Sequence, residues 1–181
     1  MANLKEIRIR IGSVSSTMQI TSAMKMVSAA KLKKAQDAIT AMRPYSNKLS
    51  ELMQSFSGAS AGGNKSYTEN RTLNKVLVVV ISSNRGLCGA FNANIAKEAL
   101  VFKSKEKFRD SQIDFLTIGK KINDTLSKTE TIIQNDSDVF EELNYENVGK
   151  IADELMDRFV SNDYDHIEII YNSFKNAATQ I

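Results

Sequence analysis

The sequence is short of the residues on which many enzymes and secreted proteins depend. It has a single cysteine, Cys88, a single histidine, His166, a single proline, Pro44, and no tryptophan. One cysteine cannot form an internal disulfide, which fits a reducing compartment. One cysteine and one histidine also leave no soft metal site, so we expect no bound metal.

Long apolar runs and a secretion signal are missing as well. No stretch approaches the ~20 consecutive apolar residues that a membrane-spanning helix needs. The first residues, MANLKEIRIR, have no unbroken apolar core with a small-residue cleavage site, so they do not predict a secretory signal. With 25% charged and 42% hydrophobic residues, the composition predicts a soluble, globular protein.

Positive charge is concentrated in the first third of the chain. Residues 1–57 carry nine Lys and Arg against three Asp and Glu, a net charge of +6, whereas the remainder carries −3. A basic segment of this kind favours an acidic partner, such as nucleic acid, lipid headgroups or an acidic protein surface. A solvated helix face would carry the same charge, so charge alone leaves both interpretations open.

The first 57 residues are predicted to form one long helix. Asn3 is suited to cap its beginning, and Gly58, Gly62 and Gly63 are suited to end it. At about 1.5 Å per residue, such a helix is around 80 Å long, which exceeds the width of a small domain. Its outer part therefore needs a partner helix.

An apolar stripe at heptad spacing runs along this helix, as in one half of a coiled coil. Its register continues across Pro44, so we expect one continuous, kinked helix rather than two. Thr21, Lys25 and Ser28 interrupt the stripe, which is typical of a helix that exposes different faces to different neighbours. The predicted seam residues are Leu4, Ile7, Ile11, Val14, Met18, Leu32, Ala35, Ile39, Met42, Leu49, Met53 and Phe56.

Beyond residue 72 the pattern changes to alternating strands and helices. Strands are predicted at 73–82, 113–118 and 166–171. Helices are predicted at 91–108, 119–127 and 147–161. This alternation predicts a small doubly wound, mostly parallel, Rossmann-like sheet. The expected fold class is therefore α/β. The expected domains are a long shaft helix at 1–57, a flexible loop at 58–72 and an α/β domain at 73–181.

The glycine-containing segment SSNRGLCGAFN lies where an α/β fold would bind phosphate. It lacks the spacing of both the P-loop and the dinucleotide-binding motif, so a tight turn before a helix is favoured, with no cofactor. Arg85 beside Cys88 could activate the thiol. However, a Cys–His pair with His166 would need a coincidence of the fold, so we expect no catalytic residue.

The basic residues of the first helix come without an aromatic platform or a recognised nucleic-acid motif. The residues alone therefore favour a structural or coupling role. A coiled-coil scaffold or a nucleic-acid adaptor stays as the alternative.

Three segments of the sequence resemble one family, the γ subunits of F-type ATP synthases. They are KEIRIRIGSVSSTMQITSAMKMVSAAKLKKAQ, SSNRGLCGAFN and IIYNSFKNAATQ. The first matches the family's N-terminal pattern almost throughout, and the three follow the family's order. Asn84 stands where the family usually has Asp, which weakens any argument from a charge there.

The resemblance implies a central-stalk rotor subunit without catalytic chemistry of its own. Such a shaft sits inside a ring of α and β subunits, and its foot, with ε, joins the membrane c-ring. Proton flow turns the c-ring and the shaft, while ATP chemistry belongs to β. The resemblance also implies a peripheral position on the cytoplasmic face of the bacterial inner membrane, with no membrane span and no nucleic acid.

The resemblance further implies which residues contact the catalytic head, which is formed by the α and β subunits. On the shaft these are Met24, Lys25, Met26 and Lys31. On the loop facing β they are Arg85, Gly86, Leu87, Cys88 and Gly89. The family's second long helix is missing here, so we expect a fragment of a longer chain, whose unpaired helix either self-associates or frays.

Overall fold

The computed structural model describes residues 3–59, 67, 71–176 and 179–181, without the side chains of residues 56–59. The chain separates into two compact units, Met1–Gly63 and Asn64–Ile181. Most of the predicted loop at 58–72 lies outside the described residues, as do Gly62 and Gly63.

The first unit is built on one uninterrupted helix, α1, which spans Leu4–Ala59. Its beginning is capped as expected, since the Asn3 side-chain oxygen accepts a hydrogen bond of 3.2 Å from the Lys5 amide. The helix continues through Pro44, as the unbroken apolar register predicts. It also includes Gly58, so the prediction that Gly58 ends the helix is wrong. Helical dihedrals are open to glycine as to any residue, and glycine ends a helix only where the backbone turns left-handed.

The predicted seam of α1 lies at the surface. Its large aliphatic side chains are exposed, from 44% at Leu32 to 75% at Leu4, and Ile39 is half-buried. The side chain of Phe56 lies outside the described residues. Exposed apolar side chains at heptad spacing are typical of a coiled-coil helix, which buries them only against another helix.

The second unit is an α/β domain around a four-stranded parallel sheet in the order β3-β2-β1-β4. Its strands are β1 (Lys75–Ile81), β2 (Gln112–Ile118), β3 (Ile132–Asn135) and β4 (His166–Ile170). Its helices are α2 (Phe91–Lys103), α3 (Lys120–Leu126) and α4 (Tyr145–Val160). Single-turn 3₁₀ helices occupy Glu106–Phe108 and Ser137–Phe140. A small antiparallel hairpin is formed by β5 (Phe174–Asn176) and β6 (Thr179–Gln180).

The predicted mostly parallel α/β architecture is confirmed, with three differences in detail. The sequence predicted three strands, whereas the sheet has a fourth, β3, whose pairing with β2 shifts register between Phe115 and Leu116. The β5–β6 hairpin was not predicted either, since its strands are only three and two residues long. The helix predicted at 91–108 ends at Lys103, where a backbone turn at Ser104 separates it from a 3₁₀ turn.

The core explains why β1 reads as a continuous apolar run. Residues 76–80 are at most 1% exposed, and alternate side chains enter two different clusters. Val76, Val78 and Val80 pack in the cluster that contains residues of α2 and α3. Leu77 and Val79 pack on the opposite face, against which α4 lies. A strand buried on both faces has no polar side to alternate with.

On the face of the sheet that α4 covers, a buried hydrogen bond joins Tyr164 and Asp114. The Tyr164 hydroxyl donates to Asp114 Oδ2 over 3.1 Å, and the two side chains belong to residues 6% and 8% exposed. Burial raises the pKa of Tyr164 to about 12, and the neighbouring Asp114 carboxylate adds to the rise. Both effects disfavour the tyrosinate, because it would be a desolvated anion beside another anion.

This pair predicts a loss of stability at high pH. The folded pKa of Tyr164 lies above its unfolded value, so the stabilisation is complete below about pH 10 and is lost as the pH rises towards 12. We expect about 2–3 kcal/mol of unfolding free energy to disappear over this window. Urea unfolding at pH 9 and pH 12 measures it. Tyr164→Phe should flatten the loss, whereas Tyr171→Phe, at an exposed tyrosine, should not. If the unfolding free energy of the unaltered chain and of both variants falls equally between pH 9 and pH 12, Tyr164 is not the group responsible.

Candidate partner-contact site

The segment Arg85–Gly89 forms an exposed loop at the carboxyl end of β1, before α2 begins. In the sheet order, the chain passes from β1 outwards to β2 and β3 and then returns to β4 on the other side of β1. The point between β1 and β4 is therefore the topological switch point of the sheet. In doubly wound folds, the loops at this point are the ones that most often carry function. The loop residues predicted from the sequence therefore lie at the switch point of the sheet.

Two side chains at the base of the loop hold its shape. Asn92 Oδ1 accepts a hydrogen bond of 3.2 Å from the Ser83 amide, which joins the beginning of α2 to the end of β1. The Ser83 hydroxyl lies 2.6 Å from the Arg85 carbonyl oxygen and 3.0 Å from Asn92 Oδ1. On its other side, Asn92 Nδ2 lies 3.4 Å from the Arg85 carbonyl oxygen and 3.1 Å from Cys88 Sγ. The loop is therefore tied to two rigid elements through one amide.

Cys88 is exposed at the surface of the loop. Its sulfur contacts the Asn92 amide, and the Ser83 hydroxyl lies at 3.9 Å. His166, by contrast, begins β4, so it lies at the amino edge of the sheet, and its Nε2 lies 3.0 Å from Glu168 Oε2. The fold therefore separates the cysteine and the histidine by the length of a strand and forms no Cys–His pair.

Asn84 has a structural role that the sequence did not reveal. Its Nδ2 donates to the Ser137 carbonyl oxygen over 3.0 Å, and its Oδ1 accepts from the Lys120 amide over 2.9 Å. Asn84 thus joins the carboxyl end of β1 to the segments that follow β2 and β3. An aspartate could replace only the acceptor, because a carboxylate has no proton to donate.

Leu87 has a backbone conformation that the sequence did not predict. Its φ angle is 61°, in the left-handed region, and its side chain is fully exposed. Gly89, two residues later, has a φ of 60° that glycine adopts without steric cost. The sequence pattern suggested the glycine turn, but nothing in it marks a leucine as left-handed.

The predicted contact residues on α1 do not share one face. Met24, Lys25, Met26 and Lys31 are all exposed. At 100° per residue, Met24 and Lys31 lie on the same side of the helix, whereas Met26 points about 200° away from Met24. Such a surface can meet neighbours all round the helix.

Thr21, one of the polar residues that interrupt the seam, is hydrogen-bonded within α1 itself. The Thr21 hydroxyl donates to the Thr17 carbonyl oxygen over 2.8 Å, and the Thr17 hydroxyl donates to the Ser13 carbonyl oxygen over 2.9 Å. A hydroxyl bonded to its own helix does not require a specific partner on a facing surface. These two threonines therefore present short side chains that need no fixed contact with a partner.

Over the described part of the chain, no group of three or more His, Cys, Asp and Glu side chains is arranged to hold a metal ion. None of its helices combines the length and the apolar character that crossing a bilayer requires.

Comparison with known proteins matches the whole chain to one family. The family model described as ATP synthase matches residues 3–181. The chain is 63% identical over 184 residues to the ATP synthase gamma chain of Flavobacterium psychrophilum, and 60% identical over 182 residues to that of Flavobacterium johnsoniae. Each match covers all of this chain but 63% of the relative, so the chain spans under two thirds of the length of these relatives.

The fold is also found in a solved structure, that of the central stalk and c-ring of the Tetrahymena thermophila mitochondrial ATP synthase. The TM-score is 0.62 at 24% sequence identity, over 90% of this chain and 69% of the other. This similarity concerns the fold. The family match over nearly every residue, with relatives above 60% identity, shows that the chain belongs to the family of ATP synthase gamma chains.

Proposed function

We propose that the chain acts in the central-stalk rotor of an F-type ATP synthase and couples proton flow to ATP synthesis or hydrolysis. The observation that carries the proposal is the family match over residues 3–181. The physical form of the chain supports it. A 56-residue helix with an exposed apolar stripe is suited to a shaft that pairs with another helix. The comparisons give no support to a coiled-coil scaffold or a nucleic-acid adaptor.

The proposed partners are the α and β subunits around the shaft, and ε with the membrane c-ring at its foot. In this assembly the chain is peripheral, on the cytoplasmic face of the bacterial inner membrane. It contributes no catalytic residue, since the ATP sites belong to β. The proposed role of α1 in the head is that of a bearing. The internally bonded hydroxyls around Thr21 suit it, because a turning surface must not interlock with its neighbours.

The second proposed contact is between the Arg85–Gly89 loop and an acidic loop of β. Arg85 is exposed and gives the loop a cation. Like charges would repel and opposite charges attract over a screening length of about 8–10 Å, so an acidic partner is favoured. Cys88 is exposed in the same loop and can report the contact.

A disulfide cross-link tests the proposal directly. The complete chain is assembled with α and β, and a cysteine is introduced into the acidic loop of β. Under mild oxidation, a disulfide to Cys88 should form and stop steady ATP hydrolysis, because the rotor is then fixed to one β subunit. Reduction should restore hydrolysis to its former rate.

Two matched variants define the specificity of the cross-link. Cys88→Ser should form no disulfide and lose no activity on oxidation. Adding Leu143→Cys to that variant places a thiol at an exposed position before α4, and it should not react with the same β cysteine. The proposed contact would be disproved if no position in the β loop cross-links while Cys88 resists labelling in the intact complex.

A further inference from the structure

Leu87 combines two features that are unfavourable for an isolated domain. Its φ of 61° is in the left-handed region, where the Cβ of a bulky residue crowds the backbone. Its side chain is fully exposed, so it gains nothing from burial. Backbone outliers of this kind are kept where the surrounding structure holds them, and they cluster at functional contacts.

The base of the loop shows what holds Leu87 in this form. Asn92 bonds the Ser83 amide and lies beside the Arg85 carbonyl oxygen, so the chain before Leu87 is fixed to α2. The start of α2 is fixed in turn, because Asn172, just after β4, donates to the Phe91 carbonyl oxygen over 3.0 Å. The exposed tip thus stands on a base tied to both sides of the switch point.

We infer that Leu87 is an apolar anchor that enters a pocket on the partner protein, and that Asn92 is the residue that positions it. The inference rests on the proposed contact between this loop and the catalytic head, and it names the side chain that makes the contact. Arg85 lies exposed two residues away. The pocket that fits this surface is therefore apolar and has an acidic border.

The loop already holds Leu87 in one conformation before the partner binds. A loop that is already ordered loses less conformational entropy when it binds, so more of the burial of Leu87 appears as affinity. A loop needed only for turning would have no use for a left-handed leucine, because glycine or asparagine adopts that conformation with less strain. Gly89, two residues later, already supplies one left-handed position in the same loop.

Leu87→Asn removes the apolar side chain but keeps the left-handed turn. Asparagine tolerates the left-handed conformation, so the unfolding midpoint of the complete chain should stay the same or rise. Binding to an α/β head, measured by titration of the labelled complete chain, should weaken about ten- to hundred-fold, as expected for removal of one buried aliphatic side chain. Leu143→Asn is the matched control at another exposed leucine, 67% exposed, and should change binding less than about two-fold.

Asn92→Ala tests the positioning role while Leu87 is kept. Hydrogen exchange of the Ser83 amide should become faster, since that amide loses its acceptor. Binding should weaken about three- to ten-fold, because the loop must now be ordered on binding. Asn92→Asp keeps the acceptor for Ser83 and should recover part of the affinity, which a general loss of domain stability would not explain.

The outcomes separate the inference from the proposed function. A complete chain that fails to bind the α/β head would disprove the proposed function itself. If the unaltered chain binds and Leu87→Asn binds equally well, the proposed function stands and the anchor is wrong. If Leu87→Asn weakens binding while Asn92→Ala does not, Asn92 is not the positioning residue.

Discussion

Gly119→Ala is expected to destabilise the α/β domain by about 3–5 kcal/mol. Gly119 joins β2 to α3 with a φ of 126°, which side chains rarely allow. A Cβ there would lie 2.5 Å from Ser82 Oγ and 2.6 Å from the Ser82 carbonyl oxygen. Backbone strain and overpacking each cost about 1–3 kcal/mol. The Ser82 hydroxyl cannot move away freely either, because it accepts a hydrogen bond from the Ile122 amide.

Urea unfolding followed by far-ultraviolet circular dichroism measures this effect. A loss of this size is a large part of the 5–15 kcal/mol that stabilises a typical domain. Gly149→Ala is the matched control, because Gly149 lies within α4 and a Cβ there would meet nothing within 4 Å. That change should stabilise the domain by about 0.5–1 kcal/mol. Equal effects from the two substitutions would show that the contact with Ser82 relaxes.

The sequence predicts the elements whose signal is periodic or continuous. The apolar run in β1 follows from burial on both faces of the sheet, and the heptads of α1 follow from its long seam. α4 was also predicted within two residues at its beginning and one at its end. In each case many residues repeat the same signal, so no single residue decides the outcome.

The elements that the sequence missed depend on tertiary pairing instead. β3 has four residues, and Asn135 and Gln134 pair with β2 through a shifted register that no local pattern reveals. The Gly58 prediction was wrong because a glycine signal is local, whereas the helix continues to Ala59. The left-handed Leu87 lies between Arg85 and Cys88, whose contacts with Ser83 and Asn92 only the folded loop brings together.

The same distinction applies to the candidate site. The resemblance to the family selected the loop and the shaft residues as partner contacts, and their roles stay predictions. The structure adds how the loop is built. Asn84 and Asn92 both stand in SSNRGLCGAFN, but the motif does not reveal that Asn92 binds Cys88 or that Asn84 reaches Ser137.

Leu32→Lys with Ile39→Lys is expected to abolish self-association of the 181-residue chain. Both residues lie on the seam of α1, where Leu32 is exposed and Ile39 is half-buried. Contiguous exposed apolar surface of this length is rare in soluble monomers, so the isolated chain should pair its seam with a second copy. Burial of each aliphatic side chain contributes about 1.5–3 kcal/mol, and the lysines also place like charges opposite each other. We expect association to weaken at least about a thousand-fold.

Multi-angle light scattering of the isolated chain, with circular dichroism on the same samples, measures both association and helix content. Ile9→Lys with Ile20→Lys is the matched control, since it removes two exposed aliphatic side chains of α1 and adds the same charge outside the seam. That variant should still associate. If the unaltered chain does not pair, its unpaired α1 should fray, because a long helix gains most of its stability from packing of its apolar face. A strictly monomeric chain with full helix content over residues 4–56 would contradict both outcomes, and the seam would then need no partner.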